Sequence, residues 1–582
     1  MPTLDWIGKR AVVGHHLDVP YRLMRCDTDE SCGNPEAGNL LVQGDNLEAL
    51  KALLPYYGGQ IKCVYIDPPY NTGRKETELG GWFYDDRVDS PEIREWLGRV
   101  VGPEGLDLSR HDKWLCMMYP RLKLLHEMLR EDGVIFVSID DNEHRHLHCL
   151  LDEIFGSKNH LGTIIWNNAT DNNKTRIATE HEYIVCFAKD PERLEAVWKA
   201  TVSPLWTLLL DKGAELISIH KDNPEDLQLA YKAWFKKHKS QLSPFQEYDQ
   251  IDSKKGIFTG SRSVHNPGKE GYRYDILHPT TGKPCSPPLM GYRFPESTAR
   301  DIEERKGFIY GEDENKIVEL KLYLADWKMK LSSIFELDGR RGANQLSEIF
   351  EGRKVFNNPK PVELISELLS FATGPGDIIL DSFAGSGSTG HAVLKLNAEV
   401  EGDPRRFVLV ERSENTAVTV TARRLRGIVE GGAKTGRGGK RTGDREALGG
   451  GMRYCVLDAT LANSDGTISQ DVAYADLAAH VWFSETGSPL SATTDALEAF
   501  LGFHRGRAVF LLFRSCLGPE SHAAAVDGLL DARTLRRLRT SIPNHDGDVV
   551  VYGEACTLTV ERLAAGGVTF KQIPYQIAGF QK

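Results

Sequence analysis

Asp67-Pro68-Pro69-Tyr70 is the stretch of this 582-residue sequence whose residue types most clearly do chemistry. It follows the apolar run Ile61 to Ile66, which reads as a buried strand stopped by the two prolines. The Asp67 carboxylate and the Pro68 carbonyl are two acceptors that can hold both hydrogens of an exocyclic nucleobase amine. Such an amine, adenine's above all, is a poor nucleophile because its lone pair is delocalised into the ring. Two directed hydrogen bonds turn that lone pair out of the ring plane, towards an electrophile. The prolines stiffen the backbone so that its carbonyl points outward. Tyr70 offers a face for stacking a base extruded from a duplex. Asp67 then serves as acceptor and charge stabiliser, with the proton leaving afterwards to it or to water.

A second motif is a candidate ligand cradle. Phe383-Ala384-Gly385-Ser386-Gly387-Ser388-Thr389-Gly390 follows a strand ending at Asp381 and opens a helix, and Glu411 ends the next strand. The glycines are spaced G-x-G-x-x-G, as in nucleotide-binding turns. Their backbone can approach a ligand closely, and the helix start offers unpaired N–H groups and partial positive charge. In a methyl donor without phosphates, those N–H groups meet a methionine carboxylate, while Glu411 accepts from ribose hydroxyls. The loop alone does not choose between such a donor and a dinucleotide.

Both motifs need a sheet to hold them. Leu40 to Gln43, Ile61 to Ile66 and Val134 to Ile139 read as buried strands, and an amphipathic helix runs through Met118, Leu122, Leu125 and Leu129 to a stop at Gly133. This is the alternation of an α/β fold with a mostly parallel sheet. Residues 167–344 break the pattern, being polar and irregular, and they are too long for a loop. The α/β pattern returns with a helix opened by Pro361. The boundaries expected are an N-terminal segment at 1–35, sheet halves at 36–166 and 345–430, an insert at 167–344, a basic Gly-rich loop at 431–452 and a C-terminal domain at 453–582.

A net charge of -11 does not favour a nucleic-acid partner, but distribution matters more than the sum. Arg423, Arg424, Arg426, Lys434, Arg437, Lys440, Arg441 and Arg445 form one basic stretch, and Lys232, Lys236, Lys237 and Lys239 another. Each reads equally as a DNA contact or as a solvated face. The ten cysteines show no C-x-x-C pair and read as reduced thiols of a cytoplasmic protein. No metal site is expected, and no apolar run is long enough for a membrane span.

With the Asp67 motif upstream of the Gly385 loop, the chain resembles the β-class DNA amino-methyltransferases, and most of all the modification subunits of type III restriction-modification systems. GDNLEAL, YNTG, RHDKWLCMMYPRLKL, GVIFVSIDDNE, NPKPVELI and FKQIPYQI carry the resemblance further. It implies a circularly permuted, Rossmann-like methyltransferase core with an inserted target-recognition domain and a small C-terminal domain. It implies S-adenosyl-L-methionine as cofactor and adenine N6 in double-stranded DNA as target, with Asp67, Pro68, Pro69 and Tyr70 catalytic. Asp381, Phe383, Ala384, Gly385, Ser386, Gly387, Ser388, Thr389 and Glu411 are then cofactor-binding. So is Asp45, at the position that meets the cofactor's adenine, although a helix N-cap explains it too. Lys360 falls in the segment beside the cofactor. Trp166, Asn167 and Asn168 read as borders of a base pocket or as packing. A homodimer and a separate helicase-nuclease restriction subunit are the implied partners. The alternatives are a stand-alone N6-adenine or N4-cytosine methyltransferase and a DNA-recognition scaffold. A valine at Gly387 is expected to fill the space of the cofactor.

Overall fold

The computed structural model describes residues 3–72, 91–101, 109–168, 177–195, 198–200, 204–220, 223–239, 242, 245–261, 264–266, 268–327, 329–399, 402–435, 441–461, 468, 472–486, 490, 499–513, 528–542, 545 and 547–573. Its ten-stranded central sheet draws on both ends of the chain. In chain order the strands are β1 (Arg22–Gly33), β2 (Leu40–Gln43), β3 (Ile61–Ile66), β4 (Leu129–Ile139), β5 (His160–Asn167), β6 (His181–Ala188), β7 (Ile334–Glu336), β8 (Ile378–Asp381), β9 (Arg406–Glu411) and β10 (Gly451–Thr460). Across the sheet they run β1-β10-β2-β9-β8-β3-β4-β6-β5-β7. Neighbours from β10 through β4 are parallel, and β1 and β6 lie antiparallel to theirs.

The parallel strands carry near-continuous apolar runs because both of their faces are covered. Val64, Ile66, Leu380, Val408 and Val410 are buried in one large core with Leu47, Leu50 and Leu53. Those leucines lie on α1 (Asn46–Tyr57), and Trp114 and Met118 of the same core lie on α2 (Arg110–Met128). Ser109 and Asp112 close a reciprocal capping box at the start of α2. Leu129, expected within a helix that stops at Gly133, instead begins β4.

β8 lies between β3 and β9, with Leu380 opposite Val64 and Val408. From β3 the chain moves outward to β4, and from β8 it moves the other way to β9. The crevice beyond the carboxyl ends of β3 and β8 is therefore a topological switch point, where open α/β sheets bind ligands. Asp67 and Asp381 both stand there.

The insert occupies less of the chain than 167–344. Val197–Leu331 forms a compact unit of its own. β5, β6 and β7 stay in the central sheet because Ile164, Trp166, Ile184 and Val185 bury their side chains in it, with Ile164 opposite Ile184. The insert is also more regular than its polarity suggests. Helices Pro204–Ile219 and Pro224–His238 pack Leu209, Tyr231 and Phe235 against Ile257 of a four-stranded sheet. Lys232, Lys236, Lys237 and Lys239 are exposed in this unit.

The 453–582 segment is not separate from the core. β10 pairs in parallel with β2, and Leu477, Val481, Val509 and Val550 join the main core cluster. The last residues of the FKQIPYQI motif, from 574 on, lie outside the described residues, as do Gly73, Arg437 and Lys440. The reading of all cysteines as reduced thiols is corrected in one place. Cys26 on β1 faces Cys455 on β10 and is bonded to it, a pairing across 429 residues with no local signature. Among the described residues no helix is long and apolar enough to cross a membrane.

Candidate active site

One cavity borders both motifs. Asp67, Pro68 and Tyr70 line it from β3, and residues 381, 383–386, 388 and 389 line it from the Gly-rich turn. Lys360, Glu182 and Phe356 complete the wall between them.

The Asp67 end is rigidly held from below. Trp114, fully buried in α2, donates from Nε1 to the Pro69 carbonyl at 2.7 Å. Asn71 takes a left-handed backbone, φ 59°, just past Tyr70. Its carbonyl accepts from Arg110 Nη1 at 3.2 Å, and its Nδ2 donates to the Arg110 carbonyl at 3.1 Å and to Glu143. Glu143 is wholly buried and also receives His111 Nδ1 and His146 Nδ1, each at 2.7 Å. His111, Glu143 and His146 bring their ligand atoms within 4.8 Å of one another, the spacing of a possible cation site. Both carboxylate oxygens are already satisfied, so the trio needs no ion to account for its burial.

The two oxygens of Asp67 differ. Oδ2 receives the Lys360 ammonium at 2.8 Å, whereas Oδ1 is buried without a hydrogen-bond partner among the described residues. A buried carboxylate oxygen left unmatched is costly and marks a place prepared for a donor. Lys360 is itself buried, lies 3.4 Å from Glu182, and stands 4.9 Å above the centre of the Tyr70 ring. Burial alone would lower its ammonium, but the Asp67 and Glu182 carboxylates outweigh it and hold the group above the ordinary lysine range. Glu182 also accepts from the Tyr70 hydroxyl at 2.8 Å and from Asn168 Nδ2 at 2.7 Å. Trp166 lies 5.8 Å from the Lys360 ammonium. Trp166 and Asn168 thus stand behind Lys360 and Glu182 rather than on the cavity wall, while Asn167 stays in the strand ladder.

The Gly-rich end is organised by two acids. Asp381 accepts from Phe383 N–H at 2.9 Å and from the Thr389 hydroxyl at 2.5 Å. Glu411 accepts from Gly385 N–H at 2.8 Å and Ser413 N–H at 2.9 Å. Burial pushes each carboxyl up to about 7. Arg424 lies fully buried behind the turn and donates from Nη1 to Ser386 Oγ and Ser388 Oγ, both at 2.9 Å. Burial pulls its guanidinium down to about 9. The Lys360 carbonyl accepts from Ser388 Oγ at 2.8 Å, which ties the lysine's backbone to this turn. On the other side Gly342, in α3 (Arg340–Ile349), packs so closely that a Cβ there would lie 1.9 Å from the Pro359 carbonyl.

Several expectations land elsewhere. Asp45 does not line the cavity; it caps α1, accepting from Leu47 N–H at 2.9 Å, and pairs with Arg121. Gly387 stands behind the turn rather than on the cavity wall, and Glu411 is buried beside the turn, where it accepts from Gly385 N–H. Most of the described residues of the basic stretch are engaged within the chain. Arg424 is buried, Arg423 pairs with Glu351, Arg426 with Glu30 and Arg441 with Asp444, and Arg445 donates to the Gly427 and Gly431 carbonyls. Glu182, Phe356, Trp114 and Arg424 in these positions were not foreseen as site residues. Only Glu182 had a usable signal, as an acid in the sheet strand next to Trp166.

The family model described as DNA methylase matches residues 61–420, a span that includes both motifs. The modification subunit of the type III restriction-modification enzyme EcoP15I of Escherichia coli is 47% identical over 425 residues, covering 71% of this chain and 65% of that protein. The EcoPI modification subunit of Escherichia phage P1 is 31% identical over 440 residues, covering 71% and 64%. The type II methyltransferase M.KpnI of Klebsiella pneumoniae is 29% identical over 401 residues, covering 65% and 81%. The chain spans a little under two thirds of the length of the two modification subunits.

Proposed function

The chain belongs to the N6/N4 DNA methylase family, and from that premise we propose that it methylates adenine N6 in duplex DNA. We assign it as the modification and sequence-recognition subunit of a type III system, acting in a prokaryotic cytoplasm with a separate restriction subunit and as a homodimer. The observation that carries the chemistry is the single cavity joining an unmatched Asp67 oxygen to the Gly385 turn.

The residues fit S-adenosyl-L-methionine, which when bound supplies an electrophilic methyl. Acidic groups at 381 and 411 suit a cationic ligand, and Phe356 against Gly385 gives an aromatic wall above a bare backbone. Ser382 Oγ is a further buried atom without a partner among the described residues. The N–H groups of Phe383 and Gly385 are engaged within the turn, so a ligand carboxylate falls to the start of the helix at Ser388. Asp67 Oδ1 and the Pro68 carbonyl hold the two amine hydrogens and turn the lone pair towards the methyl. Asp67 stabilises the positive charge that grows on nitrogen.

Long-read sequencing of DNA from cells producing the protein tests this reading. Modified adenine in one recurrent sequence context is expected. Modified cytosine would move the assignment to N4, and no modification with intact cofactor binding would leave a DNA-recognition scaffold.

Glu411 also sets a pH dependence. Its folded value is raised to about 7, so its contribution to stability is present below the ordinary carboxylate range and lost as pH rises through 7. Ionised Glu411 is the better acceptor for ribose hydroxyls and the better partner for a cation. The thermal stabilisation given by S-adenosyl-L-methionine should therefore be larger at pH 8 than at pH 6. Differential scanning fluorimetry with and without the cofactor checks this, and a flat difference across that range would remove Glu411 from the cofactor site.

A further inference from the structure

Lys360 already occupies the place over Tyr70 that the incoming adenine is expected to take. Its ammonium lies over the Tyr70 ring, where the base would stack, and donates to Asp67 Oδ2, beside the Oδ1 that the N6 amine would take. The carboxylate has an oxygen for each, Oδ2 for the ammonium and Oδ1 for the amine, but the two cannot share one ring face. We infer that Lys360 is a built-in plug of the base pocket, displaced onto Glu182 when the base enters.

The receiving partner is in place. Glu182 lies 3.4 Å from the ammonium, against 2.8 Å for Asp67, so transfer between the two carboxylates is a short swing of a flexible side chain. It never leaves the charge unpaired in a buried site, which is strongly unfavourable. The Tyr70 hydroxyl and Asn168 amide both donate to Glu182 and hold it in position for either state. The lysine's own backbone is fixed by Ser388 and by the close packing of Gly342, so motion is confined to the side chain. Such a plug keeps the Asp67 pocket closed until a base competes for it. Glu182 is then a positioning residue that acts through Lys360.

The inference rests on the methyltransferase reading, and its test separates the two. Lys360→Met, Glu182→Gln and the double variant are made in the full chain. Each is assayed for S-adenosyl-L-methionine affinity by calorimetry and for methyl transfer to DNA from a host lacking the modification. At the target site found by sequencing, 2-aminopurine replaces the adenine and reports extrusion by fluorescence. Removing the plug should lower KM for DNA by about threefold to tenfold and brighten the extrusion signal, because less of the protein is closed to the base. Removing the receiver should do the opposite, by about tenfold. The double variant should follow Lys360→Met, since Glu182 matters through the lysine. Glu182→Gln keeps volume and an acceptor for Tyr70, so it reads out even where Lys360→Met folds poorly.

Opposite signs in the two single variants support the plug. Losses of the same sign, adding in the double variant, would overturn it in favour of a structural ion pair. So would a weakened cofactor affinity in Lys360→Met, which would return the lysine to the cofactor. A wild-type protein that binds S-adenosyl-L-methionine but transfers no methyl would overturn the functional reading, and the plug with it.

Discussion

Replacing Asp67 by alanine is expected to reduce methyl transfer by about 1,000-fold or more. Affinity for S-adenosyl-L-methionine should stay within about threefold, because binding and activation of the amine draw on different residues. The structure sharpens why. Asp67 stands at the end of β3, while the turn proposed to cradle the cofactor hangs from β8 and β9 through Asp381 and Glu411. The substitution leaves the Lys360 ammonium with Glu182 as its counter-ion, so the protein should not inherit an unpaired buried charge. Only a modest fall in melting temperature is expected. Asp67→Asn gives a second reading, since it keeps an acceptor oxygen but removes the charge. If charge stabilisation matters, the asparagine variant should lie nearer alanine than wild type. Calorimetry and a tritiated-methyl assay on the same preparations decide it. Transfer within about tenfold of wild type in Asp67→Ala would remove the aspartate from the mechanism.

What could be read in the sequence was whatever local chemistry dictates. Pro68 and Pro69 must end a strand, and a G-x-G-x-x-G turn between strand and helix must offer backbone to a ligand, so both halves of the cavity were legible. Their meeting at one switch point was implied by family resemblance and is supplied physically by β8 lying beside β3. The rest depends on contacts that sequence does not carry. Lys360 is expected beside the cofactor; its carbonyl meets Ser388 of the Gly-rich turn, but its ammonium points the other way, to Asp67, 293 residues earlier in the chain. Asp45 had two readings, and α1 takes it as a cap. Arg424 counted as part of a basic patch until folding buried it behind Ser386 and Ser388. The insert looked longer than its compact unit because β5, β6 and β7 are short and are interrupted by the inserted unit, while Trp166 and Val185 are buried in the central sheet.

Valine at Gly385 and valine at Gly387 should both abolish cofactor binding, by different routes. Gly385 has φ 49° and lines the cavity, and a Cβ there would lie 3.0 Å from the Phe356 ring. The branched side chain would stand in the ligand's place and push Phe356 aside. Gly387 has φ 77°, but its Cβ would point away from the cavity, 3.0 Å from Thr421 Cγ2 and 3.8 Å from Leu425 Cγ. The expectation that a valine at Gly387 fills the cofactor's space is therefore corrected. It strains a left-handed residue by about 1–2 kcal/mol and overpacks a tight core by about 1–3 kcal/mol. Thr421 is not free to yield, because its hydroxyl donates to the Gly385 carbonyl at 2.6 Å and so holds the turn itself. Gly387→Val should lower the melting temperature markedly and lose cofactor affinity because the turn is displaced. Gly385→Val should lose affinity by about 100-fold with the smaller loss of stability, since Phe356 is only half-buried and can move. Paired melting and calorimetric measurements separate the two. A Gly387→Val protein as stable as wild type but blind to the cofactor would restore the steric picture, and normal binding by Gly385→Val would end the assignment of this turn as the cradle.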